Sequence, residues 1–355
     1  MRSLAVGLAV ALLAAGCLGL PSSDDTRAPR AGAAVLPDLS DLQPPQVDAT
    51  RARLWWEDFV MNTPYRHAGT PTNIEASERL LADLEAAGYD ARIFYYVPPQ
   101  VRGVPIPVSG ESPIEGGIRT VVGVKKGSTL PEQVVAWVAH YDSHQATVYA
   151  AYDDGSGTAV ALELARTLAS YNNSKTLMPI FFDAEEIGLV ASEAFVQQAM
   201  RDARYRFDLV IGHDMTGINC PGHEWPMYQM VGENFAERLL PIQEALYRDV
   251  MKVNYTMASL DTPTAEIPPA CVVILDGHDR NSDERNFKEE NIPILRMAGG
   301  RKAADYPAYH LPNDTVEFVY EFAGGAENYE KGLRLTVEAS WWNAVIFDRL
   351  PSLVG

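Results

Sequence analysis

Val134-Val135-Ala136-Trp137-Val138-Ala139-His140-Tyr141-Asp142-Ser143 is the stretch that decides the fold of this 355-residue chain. Apolar residues 134–139 run without alternation, at the length of a strand buried on both faces, and the polar residues begin where such a strand would leave its sheet. Residues 177–182 repeat the pattern and run into Asp183-Ala184-Glu185-Glu186. Between the two runs lie Asp153-Asp154-Gly155-Ser156-Gly157 and then Val160, Leu164, Ala165 and Leu168 at helical spacing, in a helix that Ser156 and Thr158 open. Strand, helix and strand in this order predict a parallel pair, and open sheets of that kind build their sites beyond the carboxyl ends of the strands. Imidazole and carboxylates at that edge are a donor set zinc accepts, with one carboxylate to spare as a base. The pattern reads as a hydrolytic metal site.

The rest of the chain extends this frame. Ile74, Leu80, Leu81 and Leu84 stand at helical spacing ahead of Gly88. Residues 91–97, 119–124, 207–211, 271–275 and 292–297 read as strands, and long helices are expected over 233–251 and 329–347. Buried strands separated by helices make an α/β fold, a single domain with a mostly parallel central β-sheet and helices on both faces. No internal repeat is apparent.

With 47% hydrophobic residues the chain can bury a large core. Its formal charge of −18, from 47 acidic and 29 basic residues, argues against nucleic acid and against an anionic membrane surface as partners. Arg2, the apolar stretch from Leu4 to Ala15 and the small residues Ala14-Ala15-Gly16 read as an export signal, too short to span a bilayer as a helix. Leu13-Ala14-Ala15-Gly16-Cys17 resembles a bacterial lipoprotein lipobox, with Ala14 where Leu is usual. Residues 1–17 are then a lipoprotein signal peptide, and Cys17 carries the lipid that is the only membrane contact. A plain secretory signal is the alternative, and both place the protein in the bacterial cell envelope or outside it. Residues 18–49, rich in Pro, Ala, Asp and Ser, read as a flexible tether. Export permits a disulfide between Cys220 and Cys271, and two buried thiols are the equal alternative.

His-Tyr-Asp-Ser at 140–143, Asp-Asp-Gly-Ser-Gly at 153–157, Phe-Asp-Ala-Glu-Glu-Ile-Gly at 182–188 and Tyr-His-Leu-Pro-Asn-Asp-Thr at 309–315 occur in the order and spacing of the co-catalytic zinc metallopeptidases of family 28. The resemblance covers residues 50–355, which become the zinc peptidase catalytic domain. It implies two zinc ions per chain, with His140, Asp153, Glu186, Asp214 and His310 as metal ligands and Asp153 bridging the two. It also implies Glu185 as general base and Asp142 as the carboxylate that holds the His140 imidazole. The implied activity is that of an aminopeptidase, acting on peptides with a free N-terminus through a metal-bridging water. Glutaminyl cyclase, with one zinc on a related fold, is the alternative, and a non-catalytic ectodomain a third. The preferred residue and the oligomeric state are not written in the sequence.

The chain departs from the family pattern at three places. Tyr152 precedes the bridging Asp where Asp or Asn is frequent, and reads as a change in the wall. His213, beside Asp214, is expected to point into the core on the opposite strand face. Ser282-Asp283-Glu284-Arg285-Asn286-Phe287 resembles the family's Ser-Asp-His-x-x-Phe segment with Glu284 in place of His. His144, His223 and His278 are expected as loop histidines, His144 and His278 at a pocket rim, and His67 as structural. Asp183 shares a strand face with Glu185, yet the ligand set is complete without it. Trp55-Trp56 and Trp341-Trp342 read as packing.

Overall fold

The computed structural model describes residues 36–96, 117–202, 204–217, 226–278, 281–301 and 303–354. Cys17, Cys220 and His223 lie outside the described residues, as does the signal peptide. In chain order the elements open with α1 (Ala49–Asn62), α2 (Pro71–Ala86), β1 (Asp90–Tyr96), β2 (Ile118–Val124) and β3 (Leu130–His140). There follow α3 (Gly155–Leu168), β4 (Lys175–Phe182), α4 (Val190–Asp202), β5 (Arg206–His213) and β6 (Met227–Val231). The chain continues with α5 (Ala236–Ala245), β7 (Tyr255–Ser259), β8 (Val272–Asp276), α6 (Glu284–Glu289), β9 (Ile294–Ala298), α7 (Val316–Ala323) and α8 (Ala326–Arg349). The strands form one sheet in the order β1-β2-β4-β3-β5-β9-β6-β8-β7. Its centre, β4-β3-β5-β9, is parallel throughout, so these strands deliver their last residues to one edge.

The apolar run that opened the sequence reading resolves into two alternating faces. Val135, Trp137 and Ala139 of β3, with Leu177 and Phe181 of β4, join the core built with α1, α3 and α8. Val134, Ala136 and Val138, with Ile180 and Phe182, face the second core, where Phe195 of α4 and Phe287 of α6 pack. Both faces are covered, so no polar alternation is needed. Pairing of β2 with β4 stops at Val122–Ile180. The next residue of the pattern is Pro179, which has no N–H for a ladder. Gly123 lies against it, where a Cβ would come within 3.0 Å of the proline ring.

The structure adds to or corrects the sequence reading at three places. Residues 36–48, read as the end of a tether, are laid on the body: Val47 is buried, Leu36, Leu39 and Leu42 pack against the core, and Arg349 holds Asp41 at 2.6 Å. Leucines spaced three apart along an otherwise polar run are the signal that reading passed over. The helix expected over 233–251 is present over those residues but changes its turn type along the way: a 3₁₀ turn at Glu233–Phe235, then α5, then a π turn at Leu246–Met251. Pro241 inside α5 removes one helical donor. The strands β6 and β7 carry no continuous apolar run to mark them, because Gln229 interrupts the one and Thr256 and Ser259 the other. Among the described residues no helix is long and apolar enough to cross a membrane.

Candidate active site

Strand ends and tight turns gather the predicted residues at the carboxyl edge. His140 is the last residue of β3, in register with Phe182, the last of β4. Beyond Phe182 the chain must turn at once, because extended backbone would send neighbouring side chains apart. Asp183 secures the turn: it accepts from Asn73 Nδ2 at 2.9 Å, from the backbone of Ala184 at 2.8 Å and from that of Arg119 at 3.2 Å. Ala184 then takes a φ of 58°. Asp183 is thus committed to Asn73 and to the backbone of Ala184 and Arg119. The next two backbone N–H groups, of Glu185 and Glu186, donate to the two oxygens of Asp142 at 3.1 and 3.2 Å. One carboxylate therefore fixes both glutamates, and its Oδ1 also lies 3.3 Å from His140 Nδ1.

Asp153 stands between two imidazoles. Its Oδ1 is 3.3 Å from His140 Nε2 and its Oδ2 is 3.3 Å from His310 Nε2. Burial alone would raise this carboxyl, but the flanking histidines more than offset it and hold it below the ordinary range. Glu186 Oε2 lies 3.0 Å from the same His310 nitrogen. Glu185 Oε2 reaches within 4.0 Å of His140 Nε2. Burial, and after it the carboxylates of Glu186 and Asp214, push the Glu185 carboxyl well above its usual range.

Asp214 follows β5 and is buried, with Oδ2 held by Arg296 at 3.0 Å. Donor atoms of His140, Asp153 and Glu186 lie within 4.8 Å of one another, as do those of His140, Asp154 and Asp214. Asp154 also serves as the N-cap of α3, with Oδ1 accepting from Gly157 at 2.8 Å.

These residues fit zinc. Donors on a tetrahedral zinc with bonds of about 2.0–2.1 Å stand about 3.3 Å apart, the spacing found on both sides of Asp153. Glu186 Oε1, Asp154 Oδ2 and Asp214 Oδ1 are buried without a hydrogen-bond partner. Buried carboxylate oxygens left that way cost several kcal/mol unless a cation meets them, on the order of the penalty for unpaired buried charge. Positive φ at Ala150 (44°), Met215 (51°) and His310 (54°), as at Ala184, places strained non-glycine backbone around this one centre.

The neighbours sort themselves. His213 Nε2 bonds Ser340 Oγ of α8 at 2.8 Å, pointing into the core as expected, and burial draws the ring down to about 4. His144 stacks on His310 with ring centroids 3.9 Å apart, at the rim. His67 Nδ1 lies 3.0 Å from the Ser143 carbonyl, a structural contact. His278 is not at a rim: it is buried, with Nε2 2.6 Å from Glu284 Oε1. The four tryptophans are packed in the core.

Two residues that sequence reasoning left without a role hold the site's backbone. Asp314 accepts from the N–H of Tyr152 at 2.9 Å and of Asp153 at 3.1 Å. Arg66, wholly buried, donates to the carbonyls of Tyr141 at 2.6 Å and Ala150 at 2.7 Å. Asp314 lay in a quoted motif, two residues past a proline. Arg66 carried no local signal, since its partners lie far along the chain.

The model of Peptidase family M28 matches residues 120–323, more than half of the chain. Among curated proteins, Aminopeptidase YwaD of Bacillus subtilis is 28% identical over 204 residues, 57% of this chain and 40% of that protein. A probable zinc metalloprotease of Pyricularia oryzae is 33% identical over 201 residues, 52% of this chain and 39% of the other. The chain thus spans about two fifths of the length of these relatives. Among solved structures, a zinc aminopeptidase from Bacillus subtilis superposes with a TM-score of 0.63 at 16% identity, over 85% of this chain and 96% of that one. A glutaminyl cyclase from Fimbriiglobus ruber gives 0.62 at 16% identity, over 89% and 100%. The fold, the gathered histidines and carboxylates and the matched family agree, and the chain belongs to peptidase family M28.

Proposed function

We propose that this protein is an exported zinc-dependent aminopeptidase, removing residues from the free N-terminus of peptides. The observation that carries the reading is Asp153, one carboxylate set between His140 and His310 at equal distances, with Glu185 facing the same space. His140, Asp153 and Asp214 would hold one metal ion, and Asp153, Glu186 and His310 another. Zinc, when bound there, supplies a Lewis acid for the scissile carbonyl and an acidified water. The protein's own part is proton movement and placement. Glu185, whose Oε2 faces the space between the histidines, takes the proton of the attacking water and passes it to the leaving amine. Asp142 keeps Glu185 in place through the backbone while it orients the His140 ring. The ring planes of His144 and Tyr309 lie against His310 and fix its tilt.

Asp142→Asn is expected to cost about 10–100-fold in zinc affinity or turnover, the usual effect of losing an outer partner of a ligand. Zinc titration and initial rates check it, and an unchanged affinity and rate would remove Asp142 from the account. The function itself is tested with aminoacyl-nitroanilides and their N-acetylated counterparts. The expected result is cleavage of the free amines alone, abolished by a chelator and restored by zinc. Release of ammonia from N-terminal glutamine without hydrolysis would make the protein a cyclase. Export is proposed from Arg2, the apolar stretch and Cys17, and incorporation of labelled fatty acid at Cys17, lost in Cys17→Ser, tests it.

A further inference from the structure

The segment in which Glu284 replaces histidine is not idle. Glu284 is wholly buried at the start of α6, and its Oε1 lies 2.6 Å from His278 Nε2 and 3.8 Å from Arg296 Nε. Arg296, itself 3% exposed, sits on β9 opposite Gly212 of β5 and reaches forward to Asp214 Oδ2 at 3.0 Å. Gly212 makes the approach of Glu284 feasible, since a Cβ there would stand 2.3 Å from Glu284 Oε2. A buried carboxylate in a place without cations would be costly. Here an arginine and a histidine face it, and the arginine passes the contact on to the metal edge.

Resting on the zinc peptidase reading, we propose that Arg296 is a positioning residue for Asp214. It claims one oxygen, so that Asp214 serves the metal position beside His140 through Oδ1 alone. Asp214 Oδ1 is the buried oxygen left without a partner, while Oδ2 is taken. The position beside His310 has a different character. Glu186 there has Oε2 toward His310 and Oε1 unpartnered, and among the described residues no guanidinium holds it. The two metal positions therefore depend on different scaffolds, and His278, Glu284 and Arg296 support only the one at His140. Outer partners of ligands are worth about 10–100-fold in metal affinity, and the effect of Arg296 falls on one position.

The test is zinc binding by the full chain, measured by competition with a chelator of known affinity. The expected result for Arg296→Met is one zinc weakened by about 10–100-fold and the other unchanged. Arg296→Lys, which keeps a donor and the charge, is expected to recover most of the loss. Because Arg296→Met leaves Glu284 with one fewer partner, the double variant Arg296→Met with Glu284→Gln removes the charges together and is expected to show the same selective loss. Two zinc ions weakened equally, or neither weakened, would overturn the assignment while leaving the peptidase reading intact. A wild-type chain that holds no zinc would overturn that reading and this one with it.

Discussion

Glu185→Gln is expected to lower turnover by at least about 10²–10⁴-fold, the contribution of a positioned acid–base group, while zinc content stays at the wild-type level. The substitution keeps the shape of the side chain and removes only its capacity to take a proton. The Glu185 backbone N–H still bonds Asp142, so the turn that places Glu186 should persist. Glu186 is the neighbour whose Oε2 meets His310, and it should behave in the opposite way. Glu186→Gln is expected to weaken zinc binding first, with activity recovering as zinc is raised. Elemental analysis beside initial rates at saturating zinc separates the two. If Glu185→Gln lost zinc and Glu186→Gln did not, the two roles would have to be exchanged.

Asp153→Asn is expected to have the widest effect on metal, because a single carboxylate serves both histidines. Asn offers one neutral oxygen where Asp offers two charged ones, so it can face His140 or His310 but not both. Zinc affinity is expected to fall at both positions by more than the about 100-fold that an outer partner costs, and activity with it. Asp314 keeps the backbone of residue 153 in place through the N–H, which the substitution does not alter, so the fold should survive. Equilibrium zinc titration with circular dichroism checks both halves. A variant that keeps one zinc at wild-type affinity would show that Asp153 is not shared.

The central strands were legible because burial on both faces leaves a continuous apolar run, and the run names its own length. Four of the candidate site residues were legible because they stand where an apolar run ends and the chain has to leave the sheet: His140 at the end of β3, Glu185 and Glu186 after β4, Asp214 after β5. What the sequence could not show is adjacency across strands. Arg296 meets Asp214 only because β9 lies beside β5 in a register that sets Gly212 opposite Arg296. The pair is separated by 82 residues in sequence, and an arginine inside an apolar strand carries no mark of its partner. Glu284 was visible as a departure but without a reason, which came from His278 and Arg296 together. Residues 36–48 were misread for a related cause. Their apolar side chains are few, and their packing on the body is held by tertiary contacts such as Arg349 with Asp41, not by local structure.

The most direct measurement is a mass-spectrometric time course of an unblocked peptide, bearing N-terminal glutamine in one version, with the zinc-loaded protein. The expected result is stepwise loss of whole N-terminal residues, absent when the peptide is acetylated and absent with Glu185→Gln. Loss of ammonia from the glutamine peptide with no shortening, cleavage at internal bonds, or an unchanged peptide in the presence of bound zinc would contradict it.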